Sequence, residues 1–211
     1  MRASFNRLRS YAEFLLDCVL PPRASQKAIR SLTLEDLIDI QPTQLGALPY
    51  HDPRVRALIW EIKYYANPRA LSVCGPLLAE RILGIASDTL GTALLIPIPM
   101  HAKRRKERGH NQTELLCTAA LRAHPALPVE YAPSLLVRSK ETKPQQGLPE
   151  HERKHNVRHT MHVAVPEKVR GRVCIVVDDV STTGATGAEA LRALKKAGAQ
   201  DVYILPLAQS E

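Results

Sequence analysis

The chain has 211 residues, 45% hydrophobic and 24% charged, which excludes a fibre or a disordered chain and suits one well-buried domain with a small appendage. Its formal net charge is +8, and residues 101–160 alone hold 12 Lys/Arg against 6 Asp/Glu, so the middle of the chain faces either water or something anionic. No apolar run approaches the roughly 20 residues of a membrane span, and Glu13 and Asp17 interrupt what would be a signal-peptide core. The expectation is a cytoplasmic chain without a transmembrane segment.

In chain order, Phe5, Leu8, Ala12, Leu15, Leu16 and Val19 recur at helical spacing until Pro21 and Pro22 stop the run. Further helices are expected through SLTLEDLIDI and through DPRVRALIWEIKYYA, where Asp52 before Pro53 makes a cap and first-turn pair. ALSVCGPLLAERILGIA reads as a helix, TALLIPIPM as a buried strand and NQTELLCTAALRA as a helix again. After a long polar stretch come strands MHVAV and RVCIVVDD, a helix TGAEALRALKKAGA ending at Gly198, and a last strand DVYILPLA. Strands alternating with helices predict an α/β domain with a parallel sheet over residues 51–211, preceded by an N-terminal helical section over residues 1–50. Cys18, Cys74, Cys117 and Cys174 are far apart with no CxxC pair, which suits free or buried thiols.

The chemistry concentrates in VCIVVDDVSTTGAT, residues 173–186, where an apolar strand runs into Asp178 and Asp179 and then into a hydroxyl-rich loop. In a parallel sheet, ligands bind at the carboxyl ends of the strands, where these aspartates fall. The loop opens a helix, so its backbone N–H groups and the Thr182, Thr183 and Thr186 hydroxyls can surround a phosphate. Two carboxylates beside a phosphate suit sugar hydroxyls or a divalent cation, which points to a ribose phosphate. A Walker-B strand would need a Gly-Lys phosphate loop, and the chain has no Gly-Lys dipeptide. A phospho-acceptor receiver domain needs far more chain than follows Asp178. A pair of aspartates that merely caps a helix remains the bland alternative.

VVDDVSTTGAT closely resembles the phosphoribosyl pyrophosphate (PRPP) motif of type I phosphoribosyltransferases. With LIWEIKYYANPRAL, IPIPMHAKRRKERGHNQTELL and RSKETKPQQGLPEHERKHNVRHTMHV in the family order, the chain is identified as a member of the ComF family of competence-associated, amidophosphoribosyltransferase-like proteins. The resemblance implies a type I phosphoribosyltransferase-like parallel sheet flanked by helices. It implies that Asp178 and Asp179 hold the ribose 2′ and 3′ hydroxyls, and that the loop following them through Val180 and Ser181, namely Thr182, Thr183, Gly184, Ala185 and Thr186, wraps the 5′-phosphate. It further implies a pyrophosphate loop over residues 100–108 and a flexible flap from Arg138 to Arg158. Relatives carry an apolar or aromatic residue where Ser181 stands, a phenylalanine where His110 stands, which weakens a stacking surface, and a four-cysteine zinc finger of which only Cys18 is matched. The expectation is a zinc-free N-terminal section.

PRPP loses pyrophosphate as positive charge builds on the ribose, so catalysis means alignment and neutralisation of the leaving group. Mg²⁺ on the ligand's own oxygens supplies part of that, and His101, Lys103, Arg104, Arg105 and Arg108 are candidates for the rest, with Lys63 weighed against an ordinary exposed helical lysine. His151, His155 and His159 fall at i, i+4, i+8 but are interleaved with charges, which fits a surface helix better than a metal site. Trp60, Tyr64 and Tyr65 are expected in the core of the helical section. Two readings stay open: an enzyme moving phosphoribose from PRPP to a nitrogenous base, and a cytoplasmic PRPP-binding factor in DNA uptake, with single-stranded DNA and DNA-processing proteins as partners. Tyr131 is the only aromatic residue in the basic window 101–160, so DNA binding there would be chiefly electrostatic.

Overall fold

The computed structural model describes residues 22–43, 46–139 and 159–210. The helix expected before Pro21, with Cys18, and the segment 140–158, with His151 and His155, lie outside the described residues.

Pro22 begins a helix, α1 (Pro22–Arg30), as suits a proline in a first turn. Only the middle of SLTLEDLIDI is helical, as α2 (Leu34–Ile38), closed at its start by Thr33 and Asp36, each accepting from the other's backbone N–H. A two-residue strand, β1 (Leu48–Pro49), precedes α3 (Pro53–Tyr65), which Asp52 caps as expected. Then come α4 (Pro68–Ser87), β2 (Ala93–Pro97), α5 (Ala102–Arg108), α6 (Gln112–Ala123) and β3 (Val129–Tyr131). The chain continues through β4 (Leu136–Arg138), β5 (Met161–Val163), β6 (Val173–Ser181), α7 (Ala185–Lys196) and β7 (Asp201–Gln209).

Five strands form one parallel sheet in the order β1-β7-β6-β2-β3. All of β2 and the first seven residues of β6 are buried, because a parallel sheet is covered on both faces and so needs unbroken apolar runs. On one face Leu95, Val173, Ile175 and Val177 pack with α3, α4 and α6. On the other Leu94, Ile96, Cys174 and Val176 pack with α7 and the β4–β5 ribbon. Gly75 of α4 lets α6 approach closely, since a Cβ there would lie 2.8 Å from the Ala119 carbonyl oxygen.

Four findings depart from the sequence reading. MHVAV does not join the parallel sheet: β5 pairs antiparallel with β4 in a separate two-stranded ribbon. Helix α4 has the length and composition of a membrane span, contrary to the expectation that no run approaches it. Its buried face, including Val73, Leu78 and Ile82, is part of the core, and Arg81 within it donates to the Pro206 carbonyl at 2.8 Å. Tyr64 and Tyr65 are exposed rather than core residues, because the last turn of α3 runs past the apolar face. The core does not divide at residue 50: Ile29 and Leu37 belong to the same cluster as Leu58, Leu95 and Leu207.

Candidate functional site

From β2 the chain passes through α5 and α6 to β3, outward on one side, while from β6 it passes through α7 to β7 on the other. The crevice beyond the carboxyl ends of β2 and β6 is therefore the place where the winding reverses, the usual ligand position in open α/β sheets. Asp178 and Asp179 stand at its floor, 6% and 7% exposed.

Successive strand residues point to opposite faces, and the two carboxylates meet different surroundings accordingly. On the α3–α6 face, Asp179 Oδ2 accepts from Gln112 Nε2 at 3.1 Å and lies 3.5 Å from Lys63 Nζ, while Oδ1 accepts from the Val180 N–H at 2.8 Å. Burial works against its charge, but the Lys63 ammonium and these donors outweigh it and hold Asp179 below the ordinary carboxylate range. On the opposite face Asp178 Oδ1 accepts a short-range bond from the Asp179 N–H, 2.9 Å. Burial first, then the neighbouring Asp179 charge, pushes Asp178 well above the ordinary carboxylate range. The nearby Arg138 at the end of β4 opposes that shift. Two adjacent buried carboxylates thus meet unlike surroundings that shift them in opposite directions.

Beyond the pair, Val180 and Ser181 finish β6 against Ala208 and Gln209, and the Ser181 carbonyl accepts from the Ser210 N–H at 2.9 Å. Ser181 therefore continues the ladder in place of the usual apolar residue. Thr182 is exposed, Thr183 Oγ1 accepts from the Ala185 N–H at 3.4 Å, and Ala185 and Thr186 form the first turn of α7. Gly184 is the N-cap with φ 70°, a left-handed conformation that costs a residue with a Cβ. The turn brings the N–H end of a 12-residue helix beside the carboxylates.

Residues 102–108, expected as a loop, form α5, with His101 as N-cap accepting from the Lys103 N–H at 3.3 Å. Helix α5 buries none of its residues. Arg105 is committed to Glu114 through two bonds of 2.6 and 2.9 Å, and Arg108 lies 5.1 Å over the Tyr64 ring. Arg104 is half-buried and close enough to influence Arg138, whereas Lys103 is exposed. His110, in the place of a phenylalanine, has Nε2 3.2 Å from the Ile62 carbonyl and ties α3 to the start of α6.

Sequence reading did not single out Gln112, left Lys63 undecided and named Arg138 only as the edge of a flap. Five buried side-chain polar atoms lack a hydrogen-bond partner among the described residues. Three of them, Gln112 Oε1 and Arg138 Nε and Nη2, belong to residues flanking the carboxylate pair. Glu189 of α7 supports the ribbon, accepting from the Met161 N–H at 3.1 Å and binding Arg192, which in turn donates to the Met161 carbonyl. Among the described residues no group of three or more His, Cys, Asp or Glu side chains is placed to hold a metal ion. Cys74, Cys117 and Cys174 are buried free thiols whose burial pushes their pKa values up.

The sheet order and the aspartate pair at its reversal point define a protein of the phosphoribosyltransferase fold, and a family model described as a phosphoribosyl transferase domain matches residues 123–209. The chain is 32% identical over 155 residues to the DNA utilization protein YhgH of Shigella flexneri, covering 72% of this chain and 66% of that protein. It is 32% identical over 117 residues to competence protein F of Haemophilus influenzae, covering 55% and 50%. The chain belongs to the ComF family of the type I phosphoribosyltransferase superfamily, and spans 66% and 50% of the lengths of these two relatives. Among solved structures, a Trypanosoma cruzi hypoxanthine phosphoribosyl transferase superposes with TM-score 0.43 at 13% identity, covering 66% of this chain and 73% of that one, a likeness too slight to add to the assignment.

Proposed function

We propose that the chain binds PRPP, with the ribose hydroxyls on Asp178 and Asp179 and the 5′-phosphate on the turn from Thr182 to Thr186. The observation that carries this reading is the buried carboxylate pair at the reversal point, followed five residues on by a left-handed Gly184 that starts α7. The Gln112 and Arg138 atoms that lack partners among the described residues support it, because buried polar groups ordinarily have partners and a ligand with hydroxyls and anionic oxygens offers both kinds.

Mg²⁺ fits this site through the ligand. Both oxygens of Asp179 already accept bonds from the chain and no acidic cluster among the described residues is placed to hold a metal ion, whereas the ribose and pyrophosphate oxygens are the hard donors Mg²⁺ prefers. When bound, it would neutralise charge on the leaving group. Arg138, near Asp178, and Arg104, near Arg138, are the cations we assign to the pyrophosphate.

The biological setting we infer is DNA use by the cell, as the names of the relatives suggest for those proteins, with the chain acting in the cytoplasm. The cationic α5 fits weak, salt-sensitive binding of single-stranded DNA. Transfer of phosphoribose to a nitrogenous base is the enzymatic alternative, favoured by an intact carboxylate pair whose members are shifted in opposite directions. Calorimetry with PRPP, with and without Mg²⁺, tests the central reading: one saturable site strengthened by Mg²⁺ is expected, and no binding at millimolar PRPP would overturn it. Pyrophosphate release on adding candidate bases or single-stranded DNA then separates the two settings.

A further inference from the structure

We propose that Lys63 is a positioning residue of this site: from the last turn of α3 its ammonium fixes Asp179 as the constant anion of the pair, leaving Asp178 as the member whose charge follows the ligand. The proposal rests on the assignment of the two aspartates as ligand-binding groups and deepens it.

A lysine near a helix end ordinarily reaches into water or towards the last carbonyls of its helix. Lys63 instead turns inward, its side chain 19% exposed and its Nζ 3.5 Å from an Asp179 side chain that is 10% exposed. Contacts around the last turn of α3 fix where it emerges. Glu61 accepts from Ser25 Oγ and Asn67 Nδ2, both at 2.7 Å, and the Asn67 N–H donates to the Glu61 carbonyl at 3.2 Å. Ala66 closes the helix at φ 47°, the His110 ring meets the Ile62 carbonyl, and Arg108 lies over Tyr64.

The groups facing each carboxylate differ in kind. Asp179 meets Lys63 from α3, the neutral Gln112 amide from α6 and its neighbour Asp178. Gln112 spends its N–H on Asp179 and leaves its own Oε1 unpartnered among the described residues, as suits an amide beside an anion. Asp178 meets Asp179 and the Arg138 guanidinium, around which stand Arg104 of α5 and Glu189 of α7. Among the described residues no ion pair joins Arg138 to it and Arg138 Nε and Nη2 have no hydrogen-bond partner, so they can turn to a ligand. Lys63 thus decides which of two adjacent acids is charged before any ligand arrives, and the N-terminal helices complete the site by delivering it.

The test uses the full chain with ¹³C-labelled aspartate carboxyl groups, assigned through Asp178→Asn and Asp179→Asn and titrated by NMR without ligand. In Lys63→Met the Asp179 titration should move up by about one to three pH units, the usual effect of losing a close opposite charge, and Lys63→Arg should restore most of it. Ribose 5-phosphate affinity at neutral pH should fall about tenfold or more in Lys63→Met, with the loss growing towards acid pH. Lys63→Gln serves as the second variant should Lys63→Met fold poorly. An unmoved Asp179 titration in a folded variant, or an equal loss of affinity at every pH, overturns the proposal. Absence of ribose 5-phosphate binding in the parent chain overturns the ligand reading, while the carboxyl titration still judges Lys63 by itself.

Discussion

The two sides of the site are built differently. The carboxylates belong to β6, whose ladder to β2 and β7 places Val177 beside Pro97 and Leu205 immediately before Asp178. Their position follows from one continuous stretch of chain, residues 173–186. The groups that answer them come from separate elements: Lys63 from α3, Gln112 from α6, Arg104 from α5 and Arg138 from β4. An anion held by a sheet and cations held by its surroundings can be altered separately, so the acids can stay fixed while ligand choice changes through the elements around them.

That contrast can be broken most strongly from the sheet side. Ile175 is fully buried and sits between Leu95 and Tyr203 in the ladder, so Ile175→Ala should cost about 2–5 kcal/mol of stability in chemical unfolding. Loss of much less would mean that β6 is not the rigid base of the site. On the opposite side, Gly75→Ala would set a Cβ 2.8 Å from the Ala119 carbonyl oxygen. Backbone gives way poorly, so about 1–3 kcal/mol of destabilisation is expected, together with weaker ligand binding as α6 moves Gln112. Gly184→Ala forces a side chain into φ 70° at about 1–2 kcal/mol, and its phosphate affinity should fall further than its stability alone explains.

Acid sensitivity sharpens the contrast further. Burial raises the Glu189 carboxyl, but the hydrogen bonds from Arg192 and the Met161 N–H prevail and hold it at about 2 against an ordinary 4.5. Because the folded value is depressed, the stability it contributes is present above pH 4.5 and is lost as pH falls towards 2. Glu189→Gln should therefore flatten the pH dependence of stability in that window while leaving the neutral-pH slope alone. The smallest effect belongs to Arg105→Ala: its pair with Glu114 is exposed on the arginine side, so at most about 1 kcal/mol is expected. Its ligand affinity should change far less than that of Arg138→Met, read in the same calorimetric titration.

The legible part of this molecule is the part that local sequence determines. An unbroken apolar run declares a covered parallel strand, Asp52 before Pro53 declares a helix start, and two aspartates before a hydroxyl-rich turn mark the carboxylate pair at the reversal point. The short strands β1, β3 and β4 escaped because two or three residues carry no period, and α5 because AKRRKER has no apolar face to repeat. Lys63 and Gln112 could not be assigned from their own neighbourhoods, since what makes them site residues is the packing of α3 and α6 against a strand more than 60 positions away in sequence.

The most direct test of the account is PRPP binding, in the presence of Mg²⁺, to the chain carrying both Asp178→Asn and Asp179→Asn. Each replacement keeps the shape and removes the negative charge, so the fold should survive, as circular dichroism and a melting curve would report. Removing two buried carboxylates that accept ligand hydroxyls should weaken binding by about a hundredfold or more, at roughly 1.5–3 kcal/mol for each charged hydrogen bond. Undiminished affinity in the folded double variant would contradict the account and move the ligand site elsewhere.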